Sequence, residues 1–323
     1  MSKPVLTILT GSRPVTGLEQ LEALADVRLA SDTGELAAAL PGTEILYLWD
    51  YFADGLRENW SRADSLKWIH VPAAGVDRLL FPELAASEVT VTNARGIFDA
   101  AMAEYALAGI LYFAKNFPAA ALNQRDRHWQ YFPTYNLAGT RALIAGTGSI
   151  GRTTARLLRA VGIETDGLGR TARTGDADFA AIHASTDFAA VAGDYDFVVL
   201  AAPLTRDTRR MLNQEVLSAM RPTAVLVNMG RGELADQDAL TLALESKSIA
   251  GAVLDVTDPE PLPASSPLWS LENVLITPHL SGDSQTHLPA LAAQFEANLT
   301  AYLAGRTPAN VVDKRLGFVA AGV

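Results

Sequence analysis

Three residues that could take part in chemistry each come shortly after a run of β-branched and apolar residues: Arg231, Glu260 and His279. Ligands of open α/β sheets bind beyond the carboxyl ends of the strands, so these side chains are predicted to converge on one crevice. An arginine, a carboxylate and a histidine suit anion binding and proton transfer. Each residue alone is equally compatible with a simpler role: a surface charge, a loop acid, or a hydrogen-bonded histidine beside a proline turn.

The segment "GTGSIG" has the spacing of a dinucleotide-binding loop. The spacing is carried by Gly146, Gly148 and Gly151. An apolar strand precedes the loop and an amphipathic helix follows it, as such a site requires. The first glycine allows the tight turn, the second lets a pyrophosphate approach the backbone, and the third lets helix and strand pack closely. The pyrophosphate is expected on the amides of Ser149 and Ile150 at the helix N-terminus.

The stretch "GLGRTART" bears on which dinucleotide binds. Gly169 occupies the place after the second strand where an acid would bind the ribose 2′-hydroxyl of NAD. A carboxylate there would repel a 2′-phosphate, whereas Arg170 offers a planar set of donors, and Thr171 and Arg173 can add more. The sequence therefore predicts NADP(H) in preference to NAD(H). In the alternative, Arg170 is a solvated charge or packs on the adenine of NAD.

Strands and helices alternate along almost the whole chain, which predicts parallel sheets covered on both faces. The strand candidates of the first hundred residues are 5–9, 26–30, 44–49, 67–71 and 89–93. A long helix is predicted over 99–117, and a second β/α series runs from 141 to 279. The last helix has no sheet of its own and is expected to return to the first. The predicted fold is α/β, with two doubly wound parallel-sheet domains. A Rossmann dinucleotide-binding domain (98–283) is inserted into a flavodoxin-like substrate domain (1–97 and 284–323).

Seven motifs resemble those of the D-isomer-specific 2-hydroxyacid dehydrogenases, and they span approximately residues 66 to 282. They are "AAGVDRLL", "VTNARG", "GTGSIG", "APLTRDTRRMLN", "VNMGRGELAD", "LDVTDPEPLP" and "TPH". The resemblance implies that Arg231 holds the substrate carboxylate and keto oxygen. It implies that His279 is the general acid and that Glu260 hydrogen-bonds it. One departure is the segment "LSGDSQT" after His279, where the family more often has a small "GGAT"-like segment.

The resemblance also implies contacts around the reacting centre. The backbone amides of Ala74, Gly75 and Val76 are expected to complete the substrate carboxylate pocket. The residues expected along the cofactor are Pro203, Thr205, Met229 and Asp255, with Asp255 on the nicotinamide side. Trp49, with Leu48 and Tyr51, is a candidate for the substrate tail pocket or an ordinary core aromatic. Trp129 and Tyr131 lie in a region that crosses to the partner subunit in some relatives. A homodimer is expected because relatives are mostly homodimers joined through the nucleotide domain.

Composition excludes several classes of function. The 323 residues carry a formal net charge of −10 and are 49% hydrophobic, which disfavours a general polyanion binder and a disordered chain. Without a cysteine, disulfides, thiolate metal sites and a cysteine nucleophile are excluded. The sequence shows no metal-ligand cluster, so metal-free hydride chemistry is expected. The most apolar long segment, 100–114, is interrupted by Glu104 and is too short to span a bilayer. We expect a cytoplasmic protein.

These observations together predict an NADPH-dependent reductase of small 2-oxo acids, such as glyoxylate or hydroxypyruvate, that yields D-2-hydroxy acids. Two alternatives stay open. One is an NAD-preferring D-2-hydroxyacid dehydrogenase. The other is a non-catalytic, dinucleotide-sensing binding protein, because this fold also serves transcriptional corepressors.

Overall fold

The computed structural model describes residues 3–51 and 54–320. The chain divides into two compact units, Met1–Phe98 with Ser284–Val323, and Asp99–Asp283. The strands are β1 Val5–Leu9, β2 Asp26–Ala30, β3 Ile45–Tyr47, β4 Trp68–Val71, β5 Thr90–Asn93, β6 Arg141–Ala145, β7 Glu164–Gly169, β8 Arg173–Thr174, β9 Ala181–Ala184, β10 Phe197–Leu200, β11 Val225–Asn228, β12 Gly251–Leu254 and β13 Val274–Ile276. The α-helices are α1 Leu18–Leu24, α2 Thr33–Ala39, α3 Pro82–Ala86, α4 Asp99–Ala114, α5 Phe117–Arg125, α6 Ser149–Ala160, α7 Phe188–Val191, α8 Gln214–Ala219, α9 Gln237–Glu245 and α10 His287–Leu303.

The first unit is built on a five-stranded parallel sheet of order β2-β1-β3-β4-β5, which is the flavodoxin-like order. Its central strands β3 and β4 are buried along their whole length, as expected for strands with helices on both faces. Helix α10 packs on this sheet through Leu291, Phe295 and Leu299, all buried. The ring of Phe295 stacks on that of Tyr47 at a centroid distance of 3.9 Å.

The second unit is built on an eight-stranded sheet of order β13-β12-β11-β10-β6-β7-β9-β8. All neighbours are parallel except β8, which pairs antiparallel with β9 at the edge. The run β9-β7-β6-β10-β11-β12 has the strand order of a dinucleotide-binding Rossmann sheet. The strand order reverses between β6 and β10, which is where such sheets bind ligands beyond the carboxyl ends of their strands. The predicted pair of doubly wound sheets is therefore confirmed.

The long helix predicted over 99–117 ends three residues earlier, and a second helix that was not predicted follows it. Helix α4 ends at Ala114, Asn116 adopts a left-handed conformation with φ of 50°, and α5 starts at Phe117. The cause is Pro118, which lacks an N–H and whose ring would clash with the carbonyl of Ala114 in a continuous helix. In the first turn of α5 a proline is tolerated, since that N–H has no partner within the helix.

Candidate active site: a glycine loop and a histidine–glutamate pair

The three glycines of the dinucleotide loop meet different steric demands. At Gly146, with φ of +111°, a Cβ would lie 2.6 Å from the backbone of Ala201. At Gly151 a Cβ would lie 1.8 Å from the carbonyl oxygen of Gly146. At Gly148 a Cβ would meet nothing within 4 Å. Gly146 and Gly151 are thus required by the packing of the protein itself, whereas Gly148 faces open space in front of α6.

The amino-terminal turn of α6 points into that space. The amides of its first residues, Ser149 and Ile150, have no partner within the helix and carry its positive dipole end. The hydroxyl of Ser149 donates to the carboxylate of Asp99 at 3.0 Å, so its N–H rather than its side chain is left for an anion. Open space at Gly148 in front of these amides fits a pyrophosphate.

The segment after β7 carries the residues predicted to choose the dinucleotide. Gly169 ends β7, and a Cβ there would lie 3.3 Å from both Ile182 and Thr147. Arg170 and Thr171 are exposed beyond the strand end. Arg173 lies in β8 and is ion-paired with Asp176 at 3.3 Å.

An ion-pair cluster that the sequence did not predict anchors this segment to α6. Arg152 binds both carboxylate oxygens of Asp176 at 2.8 Å and one oxygen of Asp178 at 2.8 Å. Arg156 adds a second contact to Asp178 at 3.1 Å. These bonds hold the pKa values of Asp176 and Asp178 below their usual range, chiefly through hydrogen bonds from Arg152. The only signal in the sequence was the spacing of arginines along one helix, which does not identify their partners.

The loop after β10 contains the predicted cofactor residues Pro203 and Thr205. A third residue, Thr208, closes this loop. Its hydroxyl donates to the carbonyl of Pro203 at 2.6 Å and accepts from the backbone N–H of Thr205 at 2.8 Å. Thr208 was not predicted, although a hydroxyl three residues beyond Thr205 is a common turn-forming pattern.

The three predicted reaction-centre segments follow strands that end at the same level. Asn228 of β11 pairs with Leu254 of β12, which pairs with Ile276 of β13. Arg231 follows the first of these strands in a turn shaped by the buried side chain of Asn228. That side chain donates to the carbonyl of Arg231 at 3.0 Å and accepts from the N–H of Gly230 at 3.2 Å. The guanidinium of Arg231 donates to the Gly230 carbonyl at 2.8 Å and makes further contacts.

The turn of Arg231 packs directly on the loop that carries Glu260. A Cβ at Gly232 would lie 2.0 Å from the carbonyl oxygen of Thr257, so only glycine fits there. In that loop, Glu260 Oε1 lies 2.7 Å from Nδ1 of His279. Because an ionised carboxylate only accepts hydrogen bonds, Nδ1 carries a proton in this pair, and Nε2 is the nitrogen that can exchange a proton with a ligand. The structure thus joins Glu260 to His279, and the Arg231 turn to the same loop.

Two residues predicted along the cofactor are buried. The side chain of Met229 is in the core with Ile144 and Val253, which favours a packing role. Asp255 has 1% of its surface exposed, and its carboxylate accepts hydrogen bonds from Thr277, Leu280 and Ser281. A contact of Asp255 with nicotinamide stays a prediction.

In the first unit, the predicted substrate amides follow the carboxyl end of β4. The carbonyl of Ala74 is held by the side chain of Asn93 at 2.6 Å, and Val76 is buried. Within residues 3–51 and 54–320, no oxygen accepts a hydrogen bond from the backbone N–H of Ala74, Gly75 or Val76. These amides are available as hydrogen-bond donors to an anion, and the expected carboxylate contact stays a prediction.

The structure favours the core alternative for Trp49. Its side chain is 2% exposed, its indole N–H donates to the carbonyl of Pro14 at 3.0 Å, and its ring packs edge-to-face on Tyr47. Leu48 is buried in the neighbouring cluster. By contrast, Trp129 and Tyr131 are 101% and 89% exposed.

Metal-ligand clusters and membrane-crossing helices are both absent from the described part of the chain. Residues 3–51 and 54–320 contain no group of three or more acidic or histidine side chains that could hold a metal ion. No helix among them has the length and apolar character needed to cross a membrane.

Comparison with known proteins places residues 107–281 in the family model "D-isomer specific 2-hydroxyacid dehydrogenase, NAD binding domain". A glyoxylate reductase of Pyrococcus furiosus is 32% identical over 269 residues, which cover 80% of each chain.

Two solved structures are similar over almost the whole chain. A D-isomer-specific 2-hydroxyacid dehydrogenase of Xanthobacter autotrophicus, in complex with NADPH and MES, has a TM-score of 0.84 and 29% identity. The match covers 98% of this chain and all of that one. An NADPH-dependent glyoxylate/hydroxypyruvate reductase of Sinorhizobium meliloti, in complex with NADP and sulfate, has a TM-score of 0.82 and 26% identity with the same coverage.

Proposed function

This chain belongs to the D-isomer-specific 2-hydroxyacid dehydrogenase family, and from that premise we propose that it is an NADPH-dependent reductase of small 2-oxo acids that yields D-2-hydroxy acids. Glyoxylate and hydroxypyruvate are the proposed substrates, as the names of its relatives suggest. The observation that carries the proposed catalytic role is the 2.7 Å pair of His279 and Glu260, which lies beyond the carboxyl ends of β12 and β13 in the dinucleotide-type sheet.

The proposed chemistry assigns one role to each residue. The reduced nicotinamide supplies the hydride to the carbonyl carbon when the dinucleotide is bound. Nε2 of protonated His279 gives its proton to the carbonyl oxygen, and Glu260 stabilises the imidazolium and fixes its orientation. Arg231 binds the carboxylate and keto oxygen through its planar donors.

The preference for NADPH is supported by charge. Around the segment after β7, three arginines, Arg152, Arg156 and Arg173, pair with two acids, Asp176 and Asp178, and Arg170 is exposed at the end of the strand. This local excess of positive charge in a chain of net charge −10 suits a 2′-phosphate. The two similar structures were solved with NADPH and with NADP.

The test is spectrophotometric. The protein is mixed with NADPH or NADH and a panel of 2-oxo acids, and the loss of absorbance of the reduced nicotinamide is followed. We expect turnover of glyoxylate or hydroxypyruvate that His279→Ala lowers by about 10²–10⁴-fold, the usual contribution of a general acid, with cofactor binding retained. Tight cofactor binding without turnover of any acid would instead indicate a dinucleotide sensor. Near-wild-type kcat in His279→Ala would remove the acid assignment.

A further inference from the structure

The backbone that carries His279 is hydrogen-bonded to a buried residue, Asp255. We propose that Asp255, supported by Thr277 and Tyr105, is a positioning residue that fixes the His279 loop in its reactive geometry. The inference rests on the proposed role of His279 as the acid. It gives Asp255 a function distinct from a contact with the cofactor.

Three consecutive backbone amides converge on Asp255. The N–H of His279 donates to the backbone carbonyl of Asp255 at 2.9 Å. The N–H of Leu280 donates to Oδ1 at 2.9 Å, and that of Ser281 donates to Oδ2 at 2.9 Å. Every acceptor oxygen of Asp255 is therefore bound to the turn that begins at His279.

This turn has a conformation that needs such support. His279 has φ of +52°, the left-handed region that a residue with a Cβ seldom adopts. A conformation of this kind persists only where the surroundings determine it, at a cost on the order of 1–3 kcal/mol. The three hydrogen bonds from backbone N–H groups to Asp255 fix the backbone on both sides of His279.

A directed chain of hydrogen bonds lies behind the carboxylate. Thr277 Oγ1 is 2.6 Å from Asp255 Oδ1 and 2.6 Å from the hydroxyl of Tyr105 on α4. Because the carboxylate can only accept, the single hydroxyl proton of Thr277 goes to Asp255, so Tyr105 must donate to Thr277. The chain runs in one direction, from Tyr105 through Thr277 to Asp255.

The burial of Asp255 makes this arrangement sensitive to substitution. Its carboxylate is 1% exposed, and among the described residues no cation forms an ion pair with it, so its charge depends on the donors just named. An asparagine has the same shape but replaces one acceptor oxygen by an NH₂ donor. In either orientation of the amide, that NH₂ faces at least one backbone N–H of the turn, and the turn must move.

The experiment compares four variants. Asp255→Asn and Thr277→Val break the arrangement, Thr277→Ser keeps the hydroxyl, and Tyr112→Phe, which removes a tyrosine hydroxyl of α4 that is not part of the hydrogen-bond chain, is the control. We measure kcat with the best 2-oxo acid, the Kd of NADPH by fluorescence titration, and the ring resonances of His279 by NMR. The chain has only five histidines, which eases the assignment.

We expect Asp255→Asn to lower kcat by about tenfold or more and Thr277→Val by a smaller factor, the effect of a displaced acid, with the Kd of NADPH within about twofold of wild type. The His279 resonances shift in both variants and keep their wild-type positions in Thr277→Ser and Tyr112→Phe. Asp255 would instead act through the cofactor if Asp255→Asn weakened NADPH binding about tenfold while Thr277→Val matched wild type in kcat and in the His279 resonances. Unshifted His279 resonances in both Asp255→Asn and Thr277→Val would also overturn the inference. A wild-type protein without any turnover would contradict the proposed function, and the NMR comparison would still decide the role of Asp255.

Discussion

At the scale of single residues, Gly148 and Gly151 separate what the fold needs from what a bound dinucleotide needs. A methyl group at position 148 meets open space at an ordinary φ of −79°, so Gly148→Ala should leave the melting temperature unchanged. If a pyrophosphate approaches the backbone there, the same methyl group should weaken NADPH binding by about tenfold or more, the size of one lost charged contact. Thermal melting and fluorescence titration with NADPH measure the two effects separately.

Gly151→Ala is the comparison for this prediction, because its Cβ would lie 1.8 Å from the carbonyl oxygen of Gly146. This variant should lose both stability and NADPH affinity. Unchanged NADPH affinity in Gly148→Ala would show that the pyrophosphate does not pass over this glycine.

Arg170 gives the residue-level test of cofactor choice. Arg170 is exposed at the end of β7, where the 2′ position of the ribose is expected. Arg170→Ala should therefore raise the KM for NADPH by about tenfold, the value of a charged hydrogen bond, and barely change that for NADH. Arg125→Ala, which removes an exposed arginine from α5, is the control for a general loss of positive charge. Equal effects of Arg170→Ala on both cofactors would show that this residue does not bind the 2′-phosphate.

At the scale of elements, strands were predicted well because their apolar runs are short and end at turns. Strands β1 and β2 have the predicted bounds, and β3, β4 and β5 differ by one or two residues at their ends. The glycine loop was equally easy to recognise from its spacing in the sequence, because its steric demands are local. Helix α4 ends three residues before the predicted end at Phe117, and helix α5, which follows it, was not predicted. The edge strand β8 is only two residues long and was also missed.

Contacts between side chains that are distant in sequence were harder to predict. Arg152 meets Asp176 and Asp178 only because β7, β8 and β9 fold beside α6. Asp255 was noticed as a charged residue at a strand end, but its bonds to Leu280 and Ser281 depend on the register of β12 and β13. A spacing pattern identifies a residue type and its strand end, whereas the partner is fixed by packing.

The Arg152 cluster leads to a prediction about the stability of the element it anchors. Arg152→Ala should lower the free energy of unfolding by about 1–3 kcal/mol at pH 7, because it leaves Asp176, with a side chain 7% exposed, without its main partner. Arg156→Ala, whose side chain is 56% exposed, should cost less than about 1 kcal/mol. Urea unfolding at a series of pH values measures both.

The pH dependence follows from the direction of the shifts. Arg152 holds the pKa values of Asp176 and Asp178 below the usual value of about 4, so its stabilisation is present above that pH and is lost as the pH falls through the lowered values. The difference between wild type and Arg152→Ala should be constant from pH 8 to about 5 and shrink below about pH 4. A difference that does not change on acidification would mean that Arg152 stabilises the protein through its contact with the Phe179 ring and not through its ion pairs.

At the scale of the whole molecule, charge and exposed apolar surface have different consequences. A net charge of −10 keeps copies of the chain apart at long range and leaves the recruitment of anions to local arginines. Against that background, the segment after α5 exposes three aromatic side chains, Trp129, Tyr131 and Tyr135, at 101%, 89% and 74%. Such a group of large exposed rings typically marks an interaction surface, and we propose that a second copy of the chain covers it.

The proposed homodimer is tested by the double variant Trp129→Ser/Tyr131→Ser. Burying each aromatic side chain removes about 150–250 Å² from water, worth several kcal/mol per pair of copies, so both rings should contribute strongly to association. Wild type should sediment as a dimer at micromolar concentration and the double variant as a monomer with wild-type secondary structure. Leu242→Ser, which removes an exposed apolar side chain from α9, should remain dimeric. A monomeric wild type, or a double variant that is still a dimer, would show that these rings are not the contact between copies.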